Sequence, residues 1–496
     1  MKKRLFALLA ALICLLCGCS DLPESSDPVS DPPTVSDQPH EGLQTMALAY
    51  SHDDTLNPFA AATAVNAQLT GLLYDSLVTQ DVHFSAQLSM SEKATLTDPT
   101  HAVLQLRSGM VFSDGSAVTV ADVVTSFNEA KKSPRYRELL SNVSSAKGDN
   151  KKGTVTFTLA SADPQWLACF TFPIVKGSTL TTAAGTAPLG GGAYVLQAAD
   201  GGHRLVANSR YSSKPHYETV SLQHLPNHSA RHYALASGDI AYYFNDLSDG
   251  DLPSIVGANK AVPMNAMVYI GINSARAALS KDTVRQALSA LTDRAAVCHT
   301  AYADWAVPAT ATPFHPQWSG RVAEETVPAR DIDGATALLE TAGYPVKNGK
   351  RIELELIYST DRADRARVAD AIRIQMEDAG VAIIPVPLSE AEYRARLTAG
   401  NYDLYIAEIH LTADMSLRPL LAGGAASYGI SHSGAATAYG QYLSGAATLE
   451  QLLTAFAEDM PYIPLCWRSG LAAYDRRLTT VTPTGQDPYS GFADWQ

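Results

Sequence analysis

The stretch Val103–Phe127, VLQLRSGMVFSDGSAVTVADVVTSF, constrains this chain more than any other. Leu104 and Leu106 alternate with Gln105 and Arg107, the period of a half-buried strand. Ser108-Gly109 breaks the alternation, and Val111-Phe112 forms a second short apolar run. Ser113-Asp114-Gly115 then reverses the chain, because Gly accepts positive φ and Asp bonds to nearby backbone. Thr119 with Asp122 three residues later is a capping box, with Asp in the place of Glu. Behind it Val120, Val123, Val124 and Phe127 fall on one helical face. The spacing predicts strand, turn, strand, turn and capped helix.

A chain of 496 residues exceeds what one core organises, so two or three lobes are expected. Lys2-Lys3-Arg4 precedes an apolar run, Leu5 to Leu16, that is short for a membrane span. Leu16-Cys17-Gly18-Cys19 fits a lipobox, so residues 1–18 are expected to leave as a lipoprotein signal peptide and Cys19 to carry the lipid. A plain secretory signal or a membrane anchor with accidental cysteines is the competing reading. Residues 19–44, rich in Ser, Asp and Pro, read as a disordered tether. Losing residues 1–18 removes three cations and takes the formal charge from −13 to −16, which argues against nucleic acid and mildly favours cationic or zwitterionic ligands. Cys169, Cys298 and Cys466 stand far apart in apolar contexts and read as buried small hydrophobes.

Further along, MALAY and Val155 to Leu159 read as strands, and Gly190-Gly191-Gly192 lacks the Lys-Ser or Lys-Thr of a phosphate loop, so tight packing of a turn on a sheet is the better reading. His224, His228 and His232 recur every four residues, a spacing able to hold zinc or nickel on one helix. Pro226 intervenes and starts the helix near Asn227, so a solvated polar face is the default. VYIGIN is a strand, and Val284, Ala287, Leu288 and Leu291 form a stripe on a helix starting at Asp282. Strand and helix then alternate: Ile352 to Tyr358, Asp361 to Ala379, Val381 to Val386, Glu390 to Thr398 and Asp403 to Ile409. Such repeats give a mostly parallel sheet covered by helices, with ligands beyond the carboxyl ends of strands. No G-x-S-x-G, H-E-x-x-H or Cys/His pairing near a shared loop appears, and the chain is not expected to be an enzyme or to carry a cofactor or resident metal.

The opening stretch resembles the signature of the family-5 extracellular solute-binding proteins, the peptide- and nickel-binding receptors of bacterial ABC importers. Leu106, Arg107, Gly109, Phe112, Asp114, Gly115, Thr119, Asp122 and Val123 all match, in order. Asp54-Thr55-Leu56-Asn57-Pro58 resembles the family's D-x-L-N-P loop, and the GLLYDSLVTQD segment its Y-E-x-L helix end. Pro188 to Tyr194 resembles P-x-G-T-G-P-Y, with Gly191 and Ala193 departing from it. Ala234 to Ile240, Val284 to Arg294 and Ala337 to Tyr344 resemble three further family helices.

The resemblance implies an α/β, bilobal, periplasmic-binding-protein-like fold (type II, cluster C), with mixed sheets flanked by helices and a central ligand cleft. Residues 45–265 would form lobe I with an inserted subdomain, 266–465 lobe II, and 466–496 the return to lobe I. His410-Leu411-Thr412-Ala413-Asp414 matches a loop G-W-x-x-D-x-x-x-P, whose Asp pairs with a peptide α-ammonium; here Leu411 replaces the Trp and His410 the Gly, and Pro419 falls near the Pro. Asp414 and Thr412 are therefore candidate ligand contacts, with turn capping the bland reading of Asp414. His410 raises a metal chelate as the rival ligand. Trp467 and Arg468 follow a stretch resembling the crossing back to lobe I, where they would stack on ligand and meet a carboxylate, with packing the alternative for Trp467. Tyr50, Ser51 and His52 lie at the matching edge of lobe I. The implied protein is a monomeric, lipid-anchored, extracytoplasmic receptor. It closes over an oligopeptide or other small solute and docks on an ABC permease and its ATPase. A sensing lipoprotein of the same fold is the other non-enzymatic possibility.

Overall fold

The computed structural model describes residues 42–321, 326–430 and 433–496. The expected signal peptide, Cys19 and the expected tether up to Glu41 lie outside the described residues. Two antiparallel strands, Ala258–Ile272 and Tyr462–Tyr474, carry the chain between two hydrophobic cores. Val262, Met264 and Ala266 belong to one core, with Ala472. Val268, Tyr269, Ile270 and Ile272 belong to the other, with Ile463, Leu465, Cys466 and Trp467. These β-branched and aromatic runs are buried on both faces, which is why they persist as long strands without polar alternation.

Around this pair a mixed sheet extends both ways. Leu404–His410, Ile352–Ser359 and Val381–Leu388 follow on the side of Ala258–Ile272. Tyr242–Asn245, Met46–Tyr50, Thr219–His224, Gly202–Ala207 and Tyr194–Ala199 follow on the side of Tyr462–Tyr474. Ile352–Ser359 is parallel to both neighbours, as strand–helix alternation predicts. The crossing strands, however, pair antiparallel with each other and with Leu404–His410 and Tyr242–Asn245. The sheet is mixed rather than mostly parallel because one crossing strand leaves the first core and the other returns to it.

The Val103–Phe127 module sits in a separate antiparallel sheet of Ser91–Asp98, His101–Leu106, Thr154–Leu159 and Val143–Asp149. Its helix, Val120–Lys132, has both halves of the Thr119–Asp122 capping box and buries Val120, Val123 and Phe127. Phe127 meets Phe157 edge-on at 5.5 Å between centroids. The second predicted strand does not form: Val111 makes a single bridge to Ala117, because the reversal at Ser113-Asp114-Gly115 leaves no length for a ladder. The stripe from Asp282 is likewise divided into helices Asp282–Ala290 and Arg294–Tyr302, the second capped by Asp293.

Gly190 and Gly192 pack on a helix end rather than on the sheet. A Cβ at either would come within 2.1 and 2.4 Å of the Leu73 carbonyl group, so any side chain there would displace the strand entry. Cys169, Cys298 and Cys466 are buried and unbridged, as their apolar contexts suggested. No described helix is long and apolar enough to cross a membrane.

Candidate functional site

A cleft of about 730 Å³ lies where the loop after strand Leu404–His410 meets the first core. Its walls come from His410 to Ala413, from Asn265 on the crossing strand, from the 72–80 segment, from the residues around Tyr136 and from the chain between Gly485 and Asp494. The position is the one α/β sheets favour, beyond a strand's carboxyl end. Strand Leu404–His410 is parallel to Ile352–Ser359 and antiparallel to Ala258–Ile272, so its last residue emerges beside Ala266 at the crossing.

The loop is fixed by donors and acceptors from both cores. The Leu411 amide donates to the Asn265 carbonyl at 2.8 Å, and Asn265 Nδ2 donates to the Leu411 carbonyl at 3.1 Å. Gln80 Nε2 donates to the Ala413 carbonyl at 2.7 Å. Arg418, just beyond, pairs with Asp163 at 3.3 Å. Met415 is held at φ 53°, an uncommon backbone for an L-residue, which the surrounding bonds must maintain.

Asp414 is 5% exposed. Its carboxylate accepts from Thr412 Oγ1 at 2.5 Å and, weakly, from Cys169 Sγ at 3.8 Å. No Lys or Arg among the described residues bonds to it. Burial, with the charge of Asp163 added, pushes it up to about 7, against the bonds from Thr412 and the backbone. Two further acceptors in the same wall, Gln80 Oε1 and Asn265 Oδ1, are buried without a partner. Asp75, Glu138, Asp487 and Asp494 line the cleft against a single arginine, Arg135. Burial also raises Asp75, to about 6, and Asp487. Unpaired acceptors and acidic walls together suit a ligand that carries N–H donors and positive charge.

The structure brings His410 and Thr412 to the cleft wall; Asp414 is not itself a wall residue and connects to the wall through its bond from Thr412. His410 is exposed, and its Nε2 lies 2.9 Å from Glu408. Trp467 and Arg468 are elsewhere. Trp467 is 0% exposed, paired with Met267 and Val307, with its ring edge-on to His315 at 5.1 Å. Arg468 is 2% exposed and holds Glu408 through Nε and Nη2, with Nη1 donating to the carbonyls of Asp246 and Leu247. Alternation along Tyr462–Tyr474 could not place them, because that strand is covered on both faces.

Tyr50, Ser51 and His52 occupy another edge of the first core. Tyr50 Oη meets His203 Nδ1 at 3.3 Å, the Ser51 amide donates to Asn66 Oδ1, and His52 stands exposed. His224 ends strand Thr219–His224 whereas His228 and His232 lie on helix His228–Ser237, so the three do not share a helical face. Sequence reasoning missed Asp75, Gln80, Asn265 and Asp487 as cleft residues. Asp75 and Gln80 stood inside the recognised GLLYDSLVTQD segment; Asn265 and Asp487 carry no local signal.

The model of the bacterial extracellular solute-binding proteins, family 5 Middle, matches residues 85–424. The oligopeptide-binding protein AppA of Bacillus subtilis (strain 168) is 24% identical over 322 residues, covering 60% of this chain and 59% of AppA. Protein XP55 of Streptomyces lividans is 26% identical over 365 residues, covering 67% of this chain and 64% of XP55. The matched region thus spans less than two thirds of the length of either relative. Among solved structures, the unliganded open form of the periplasmic murein tripeptide binding protein MppA superposes with a TM-score of 0.76 at 17% identity, covering 92% of this chain and 98% of that one. The nickel ABC transporter structure from Bacillus halodurans gives 0.75 at 19% identity, covering 90% and 98%. NikA from Brucella suis, in complex with Fe(III)-EDTA, gives 0.70 at 18%, covering 91% and 99%. These likenesses carry the bilobal α/β fold, and the matched family model, spanning well over half of the chain, carries the membership: this protein belongs to the family-5 bacterial extracellular solute-binding proteins.

Proposed function

We propose that the protein is the substrate-binding lipoprotein of an ABC importer, and that it captures a short peptide or a similar small zwitterionic solute whose ammonium group pairs with Asp414. The observation that carries this reading is a carboxylate buried at the junction of the two cores that accepts hydrogen bonds but, among the described residues, has no Lys or Arg bonded to it, the nearby Arg418 being paired with Asp163. An ammonium placed there gains a desolvated, charge-assisted contact, while Gln80 Oε1 and Asn265 Oδ1 accept from peptide N–H groups. That MppA is a murein tripeptide binding protein, and that AppA of Bacillus subtilis was solved with a nonapeptide, supports the same ligand class.

In this reading the lobes are 45–265 with 466–496, and 266–465. They hinge on the crossing strands, and the closed monomer, tethered through lipid on Cys19, delivers its cargo to a permease and ATPase. The protein acts by binding and not by catalysis. A metal chelate is the second reading, favoured by the exposed imidazole of His410 in the cleft wall.

Native mass spectrometry of the protein purified without denaturation tests the assignment. A ladder of peptide masses that collapses in Asp414→Ala supports it. A metal-chelate adduct lost in His410→Ala replaces it with the second reading. Ligand-free protein that shows no compaction in small-angle scattering with any peptide pool points to a role other than capture.

A further inference from the structure

We propose that His52, Asp53 and His224 form a binding site for a divalent late first-row transition metal ion on the edge of the first core, separate from the cleft. The three residues come from the loop after strand Met46–Tyr50 and from the end of strand Thr219–His224. Those strands are parallel neighbours in register, Tyr50 opposite His224, so the chain brings together residues 172 positions apart. His52 Nε2 lies 3.0 Å from one Asp53 oxygen and His224 Nε2 lies 3.7 Å from the other. The two imidazole rings are 3.8 Å apart between centroids, and one donor atom from each residue falls within 4.8 Å of the others. Zinc with ligand bonds of about 2.0–2.1 Å in tetrahedral geometry needs donor atoms about 3.3–3.4 Å apart, and rotation of these exposed side chains brings one donor from each residue to that spacing.

Two imidazoles and one carboxylate are an intermediate-hardness donor set, suited to zinc or nickel and not to magnesium or calcium. The third ligand leaves one tetrahedral position for water or a small chelator. The loop is anchored on either side, by the Ser51 amide on Asn66 and by Asp54 accepting from the Ala62 and Thr63 amides, so the ligands need little ordering. The His52 amide donates to His224 Nδ1 at 3.2 Å. Capture of metal at His224 Nε2 moves the ring proton to Nδ1 and turns that amide to water, which the exposed loop permits. None of the three residues lines the cleft.

The test is calorimetric titration of the chelator-stripped protein with zinc(II) alone, then nickel(II) alone. One ion should bind, with His52→Ala and His224→Ala each weakening binding on the order of tenfold or more and Asp53→Asn by a comparable factor. His299→Ala, in the exposed His299–Asp304 pair elsewhere, should change nothing. All positions are at the surface, so thermal melts should match the parent and separate ligand loss from misfolding. Zinc affinity unchanged in the His52→Ala/His224→Ala double variant overturns the site. So does binding abolished by His410→Ala, which would assign the metal to the cleft.

Discussion

Glu408 near the end of strand Leu404–His410 and Asp414 in the loop beyond it stand six positions apart, the Glu408 side chain 5% exposed and Asp414 5% exposed. Their surroundings are opposite. Glu408 is held by Arg468 at 2.7 and 2.8 Å, by Arg362 and Arg365 at 3.0 and 3.1 Å, and by His410. Burial alone would raise its pKa; the bonds from His410 and Arg468 and the charges of Arg468 and Arg365 overcome that and hold it well below the usual carboxylate range. Asp414 has the burial without the cations and is raised to about 7. A buried acid already neutralised by its own protein has nothing left for a ligand; one left unpaired is receptive. Sequence proximity and equal burial therefore say little about role, and the charge partners decide it.

The comparison can be broken most forcefully at Glu408. Glu408→Gln strips the buried Arg468 of its anion and leaves Arg362 and Arg365 to Asp364 alone, and should cost about 3–5 kcal/mol in urea unfolding, with little change in ligand affinity at the same folded fraction. A loss below about 1 kcal/mol would mean that the cluster is solvated in solution. At Asp414 the pattern should invert. Asp414→Ala should weaken binding of an ammonium-bearing peptide by about 2–5 kcal/mol by calorimetry while leaving the fold intact. Unchanged affinity would take Asp414 out of the site.

The pH dependence sharpens the contrast. Because Asp414 is raised in the folded protein, the native state binds more protons than the unfolded chain between about pH 4 and pH 7. The ligand-free protein should therefore lose stability at this site as pH rises through that window, by up to about 1.4 kcal/mol per unit, and Asp414→Asn should flatten the slope. Ammonium binding in the same window should release a proton, measurable as a dependence of binding enthalpy on buffer. The smallest effect concerns Trp467, whose Nε1 has no partner to lose. Trp467→Phe should cost about 1–2 kcal/mol of stability through packing alone and leave affinity unchanged. A selective loss of affinity would restore Trp467 to the ligand site.

Local chemistry was legible where it is local. The Thr119–Asp122 cap and the helix start at Asn227 follow from side chains reaching backbone a few residues away. Family motifs in order then supplied the fold and the loop carrying Asp414. Elsewhere the reading stopped. Val111 looked like a strand residue because apolar runs do not reveal whether a ladder has room to form. Trp467 and Arg468 looked like cleft residues because the strand they share with Met267 is covered on both sides.

By itself, then, the sequence determined most of the capped helices and long strands, the family, and the arrival of Asp414 beyond a strand end, since these depend on short-range periodicity, caps and ordered motifs. The tertiary structure alone decided that Glu408 is neutralised by Arg468 from a returning strand while Asp414 is not, and that His52 meets His224. Both outcomes depend on charges and donors brought together across sheet neighbours far apart in the chain, a distance that no local pattern records.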